Sequence, residues 1–96
     1  MRFWQVNIEF HIFIKGRVQG VGFRWYANNL AQNLGVNGWV RNNADGSVEI
    51  VAQGNKENLI SFVDKLKSGP PSANVVSLDK QEKKILEKYK DFKVAY

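Results

Sequence analysis

The stretch IEFHIFIKGRVQGVGFRWYANNLAQNLG, residues 8–35, decides the fold. Ile8, Phe10, Ile12 and Ile14 alternate with Glu9, His11, Phe13 and Lys15, the period-2 pattern of a strand buried on one face. Gly16, Gly20 and Gly22 follow within seven residues and mark a loop with unusual backbone angles. Phe23, Ala27, Leu30, Ala31 and Leu34 then recur at helical spacing until Gly35 stops the helix. A strand feeding a helix through a glycine loop is the first half of a β-α-β unit, so the next segments settle the topology.

Val36, Gly38 and Val40 alternate against Asn37, Trp39 and Arg41, which gives a second strand over 36–42. The turn Asn43-Ala44-Asp45-Gly46 returns the chain as a third strand over 47–53, with Val48, Ile50 and Ala52 on its core face. A second helix opens at Gly54-Asn55 and carries Leu59, Phe62, Val63 and Leu66 to about Lys67, where Gly69-Pro70-Pro71 ends it. Ala73–Leu78 reads as a fourth strand and Phe92–Tyr96 as a short last one. Residues 79–91, mostly Lys, Glu, Asp and Gln, read as a solvated strand end, turn or short helix. The order β-α-β-β-α-β plus a terminal strand predicts an α+β, ferredoxin-like sandwich, formed by a mostly antiparallel sheet with two helices on one face. Residues 1–96 read as a single domain, without repeats or an interdomain linker.

That topology juxtaposes two strand ends. A helical crossover makes the first two strands parallel, and the third inserts between them. Two strand spacings of about 4.8 Å then set their carboxyl ends roughly 10 Å apart on one sheet edge. The 16–22 loop and Arg41-Asn42-Asn43 are therefore expected to face a common cavity.

Composition narrows the chemistry. The chain of 96 residues has no cysteine and one histidine, which excludes disulfides, thiolate nucleophiles and a multi-histidine metal centre. It holds no apolar run near the roughly 18–20 residues of a membrane span. Met1–Asn7 has no export signature, so the expected compartment is cytoplasmic. The formal charge is +5, and the stretch from Phe10 to Ala44 contains Lys15, Arg17, Arg24 and Arg41 without a single acid. A cationic half of this kind favours an anionic partner: nucleic acid, an anionic surface or a phosphorylated small molecule.

The glycine loop running into a helix start offers backbone N–H groups and a positive dipole end to a phosphate. Arg24 on the first turn adds a planar two-pronged donor. The loop matches neither a Walker loop nor the dinucleotide fingerprint. Read alone, it is equally a plain β-to-α turn with an exposed arginine. Asn42 can accept a hydrogen bond from water and position it for attack on phosphorus, or it can be an ordinary hairpin asparagine.

Two longer motifs distinguish these readings. Ile14 to Arg24 resembles the first signature of the acylphosphatase family, and Gly38-Trp39-Val40-Arg41-Asn42 with Gly46-Ser47-Val48 and Gly54 resembles the second. Gly69-Pro70-Pro71-Ser72-Ala73 and the closing Phe92, Val94 and Tyr96 are also similar, so the resemblance covers about residues 8–96. It implies a hydrolase that uses neither metal nor cofactor and cleaves the carboxyl–phosphate bond of a small acyl phosphate, releasing carboxylate and inorganic phosphate. It also implies that Arg24 binds the phosphate, Asn42 orients the attacking water, and the backbone amides of Arg17, Val18, Gln19, Gly20 and Val21 form the cradle. A monomer with no nucleic-acid or membrane partner is expected.

Other residues are not assigned to the site. His11 falls out of phase with the core face and has no second metal-ligand candidate nearby in sequence. Trp25, Tyr26 and Trp39 read as packing or surface aromatics, since the RNA-recognition signature is absent. The rival readings are a nucleic-acid-binding domain using the basic half and a module of a larger enzyme handling carbamoyl phosphate.

Overall fold

The computed structural model describes residues 7–96; residues 1–6, most of the segment read for an export signal, lie outside the described residues. Its elements are β1 (Asn7–Arg17), α1 (Phe23–Leu34), β2 (Asn37–Asn42), β3 (Val48–Asn55), α2 (Lys56–Ser68), β4 (Asn74–Lys83) and β5 (Phe92–Val94). The sheet order is β4-β1-β3-β2-β5. β3 lies between β1 and β2, antiparallel to both, β4 pairs antiparallel with β1, and β5 pairs parallel with β2. The expected topology is therefore present, with the ends of β1 and β2 on the same edge.

Local chemistry sets the helix limits. α1 starts after Gly22 and stops at Gly35, both left-handed. α2 is capped by the Asn55 side chain, which accepts from Asn58 N at 2.8 Å. Glu57 in its first turn and Lys65 and Lys67 in its last suit the helix dipole.

Both helices cover one sheet face. Phe10, Ile12 and Ile14 of β1, Val40 of β2 and Val48, Ile50 and Ala52 of β3 meet Phe23, Ala27 and Ala31 of α1 and Leu59, Phe62, Val63 and Leu66 of α2. Gly38 belongs to this face for a steric reason. At φ +141 a Cβ there would stand 1.8 Å from the Val51 carbonyl oxygen, so only glycine lets β2 approach β3.

The charged segment resolves into two parts. β4 runs five residues past the expected Leu78, because β1 supplies hydrogen-bonding partners as far as Glu9↔Lys83 whatever the side chains do. Its charged side chains suit an exposed edge strand. Residues 84–91 then lie against the sheet face opposite the helices. Buried Gln53 holds them there, accepting from Tyr89 N at 3.0 Å and donating to Glu87 O at 2.6 Å.

Candidate active site

The glycine loop is built for open amides. β1 ends at Arg17, and Val18, 1% exposed, anchors the loop in the core. Gly20 and Gly22 take φ 72 and 79, a left-handed path that L-residues rarely adopt. Among the described residues, the backbone N–H groups of Val18, Gln19, Gly20 and Val21 donate to no protein acceptor. No side chain caps the start of α1, and its first turn holds no acid. These donors and the helix dipole leave the loop electropositive.

Strand pleat brings Asn42 opposite the loop. Counting by twos from Gly38 and Val40 places Asn42 on the helix-covered face at the end of β2. A cavity of about 170 Å³ lies between them, lined by Val18, Gly20 and Gly22 of the loop, Phe23, Arg24 and Trp25 of α1, and Asn42. Asn42 Oδ1 is buried and has no hydrogen-bond partner among the described residues. An unpaired buried acceptor costs stability unless a donor reaches it, so it marks a place for one.

Arg24 is held from the far end of the chain. Its Nη1 donates to Ala95 O at 3.4 Å, and its Cζ stands 4.7 Å from the Tyr96 ring centroid. Ala95 N in turn donates to Val40 O at 2.7 Å, which ties this terminal segment to β2.

Gln19 also acts through its side chain. Its Nε2 donates to Asn43 O at 2.8 Å and to Ser47 O at 2.9 Å, clamping the loop to the β2–β3 hairpin. Asp45 shapes that hairpin by accepting from Ser47 Oγ at 2.6 Å and Ser47 N at 2.9 Å. The Ser47 hydroxyl, then its N–H, hold the Asp45 carboxyl below the usual carboxylate range.

Other expected members do not join. Arg41 was expected to face the cavity with Asn42, but the pleat sends it to the opposite face. There its Nε and Nη2 donate to Glu49 Oε1 at 3.2 and 3.0 Å. Arg17 is exposed and paired in register with Asn74, outside the cavity lining. Of the four cations in the acid-free stretch, Arg24 alone lines the cavity.

His11 also lies on the opposite face, its Nε2 2.6 Å from Glu49 Oε2. Burial raises the Glu49 carboxyl, but the hydrogen bonds with His11 and Arg41 outweigh it, so its pKa lies below the ordinary value. Trp39 on this face donates to Tyr89 Oη at 3.3 Å and carries Arg41 5.0 Å from its ring, so the 84–91 segment engages it. A larger depression of about 480 Å³ lies here too, among Glu9, Lys83, Lys84 and Glu87; its mixed charges and lack of an amide loop suit an anion poorly. Among the described residues, no three His, Asp or Glu side chains cluster as a metal site. Nor, among these residues, is any helix long and apolar enough to cross a membrane.

Comparison with known proteins places this geometry in context. The family model described as acylphosphatase matches residues 10–94. An acylphosphatase of Archaeoglobus fulgidus is 43% identical over 89 residues, spanning 93% of this chain and 99% of that protein. The crystal structure of acylphosphatase from Bacillus subtilis matches with a TM-score of 0.90 and 39% identity, over 93% of this chain and 99% of that one. The crystal structure of T. kodakarensis HypF matches with a TM-score of 0.82 and 31% identity, over 94% of this chain but only 12% of that one. The same architecture thus also occurs as a small part of a longer protein.

Proposed function

The chain belongs to the acylphosphatase family and is a hydrolase of acyl phosphates, and from that premise we propose how its residues divide the work. Arg24 and the amides of Val18, Gln19, Gly20 and Val21 hold the phosphoryl oxygens. Asn42 Oδ1 accepts a hydrogen bond from water and directs its lone pair at phosphorus. Attack forms a water-derived P–O bond and breaks the bond to the carboxyl oxygen, which departs with the electron pair as carboxylate. The water's proton passes to a phosphoryl oxygen of the substrate, giving carboxylate and inorganic phosphate.

A carboxylate is a good leaving group, so positioning and charge stabilisation suffice without a strong general base. An acid beside the loop would repel the substrate dianion, and the lining contains none. The observation that supports this division most directly is the unpaired Asn42 Oδ1 in the cavity that Arg24 shares.

The test is hydrolysis of benzoyl phosphate with a chelator present, followed by Asn42→Ala. The unaltered protein should release phosphate at an unchanged rate with chelator. The variant should lose at least about 100-fold in kcat, the scale of a misplaced reactant, while inorganic phosphate still inhibits it competitively. Full activity in Asn42→Ala would remove the water-positioning role.

A further inference from the structure

We infer that Trp25 is the surface on which the acyl group rests, and that this chain therefore favours aromatic acyl phosphates. The inference rests on reading the Arg24–Asn42 cavity as the acyl-phosphate site. The lining residues divide by what they can still offer a ligand. Gly20 and Gly22 offer backbone, while on that reading Arg24 and Asn42 serve the phosphoryl group and the water. Val18 and Phe23 are each 1% exposed and already belong to the core. Trp25 is 58% exposed, so it alone among the lining residues presents broad apolar area to whatever projects from the cavity.

The neighbouring aromatic shows a different use of a similar side chain. Tyr26 donates its hydroxyl to Lys65 O on α2 at 2.8 Å and tilts against Phe23, so it joins the two helices. Trp25, directly after Arg24 in the first turn of α1, is hydrogen-bonded to no described residue and lines the cavity instead. An acyl group is joined to the bound phosphoryl through one oxygen, so its substituent must emerge beside the residues flanking Arg24. A phenyl substituent can cover the indole, with the ring-on-ring attraction aromatic pairs show. A methyl substituent covers little of it.

The contact lies away from the reacting bond and persists from ground state to transition state. It should therefore act on KM rather than kcat. The experiment compares kcat/KM for benzoyl phosphate and acetyl phosphate in the unaltered protein, Trp25→Ala and Trp25→Phe. Taking the ratio of the two substrates within each protein cancels their different intrinsic reactivity. Trp25→Ala should lower the benzoyl-to-acetyl ratio about tenfold, which corresponds to about 1.4 kcal/mol, through a raised KM for benzoyl phosphate. Trp25→Phe should restore most of the ratio.

A ratio unchanged in Trp25→Ala, or an equal loss of kcat on both substrates, overturns the role of Trp25 while leaving the assignment of the cavity intact. If the unaltered protein hydrolyses neither substrate, the assignment of the cavity falls, and this inference falls with it. A thermal melt of each variant checks that an exposed-residue change has left the fold in place.

Discussion

Arg24 and Asn42 show how far local chemistry carries a site. A glycine loop before a helix announces an anion-binding start, and the next arginine is its natural partner, so Arg24 is legible from neighbours in the chain. Asn42 follows from the strand pleat, since alternation through Gly38 and Val40 puts it on the helix-covered face. The same alternation carries Arg41 away to Glu49, against the expectation that the whole segment shares the cavity. The support for Arg24 was not legible, because Ala95 lies 71 residues away and nothing in either segment announces the other. Arg24→Lys keeps the charge but loses the planar fork and its stacking on Tyr96. It should weaken competitive inhibition by inorganic phosphate about tenfold, equivalent to roughly 1.4 kcal/mol. The inhibition constant measured on benzoyl phosphate checks this, with an unchanged melt excluding misfolding.

At the scale of elements, the site is a joint between the 18–22 loop and the hairpin linking β2 to β3. Each is recognisable from its turn residues, but among the described residues the hydrogen bonds that join them come from a single side chain. Gln19 Nε2 bridges the Asn43 and Ser47 carbonyl oxygens, and so couples the position of the amide cradle to that of Asn42. Gln19→Ala removes both donors and leaves two carbonyls to find water, which should cost about 1–3 kcal/mol of stability. A merely structural clamp would show only in the denaturation midpoint. Here the KM for benzoyl phosphate should also rise several-fold under conditions where the variant is fully folded. The long β4 makes the complementary point about element boundaries. Its charged second half reads equally as a strand end, a turn or a short helix, and pairing with the long β1 is what makes it strand.

For the whole molecule, Glu49 fastens three strands from the sheet face opposite the site. It sits on β3 and receives His11 from β1 and Arg41 from β2. Its folded pKa lies below the ordinary value, so its contribution is fully present above the unfolded-state range, about 4.3. That contribution falls away as pH drops through the lower folded value. Denaturation midpoints should therefore decline on acidification below about pH 4.3, and Glu49→Gln should flatten the decline. Part of the slope should survive in that variant, since Asp45 is shifted in the same direction. Apolar periodicity and glycine punctuation depend on near neighbours in the chain, so the sequence by itself determined the element order, the ferredoxin-like topology and the meeting of two strand ends. Only the tertiary structure decided what holds Arg24 in place and where residues 84–91 lie. Those outcomes depend on groups brought together across dozens of residues, and no local pattern encodes such distances.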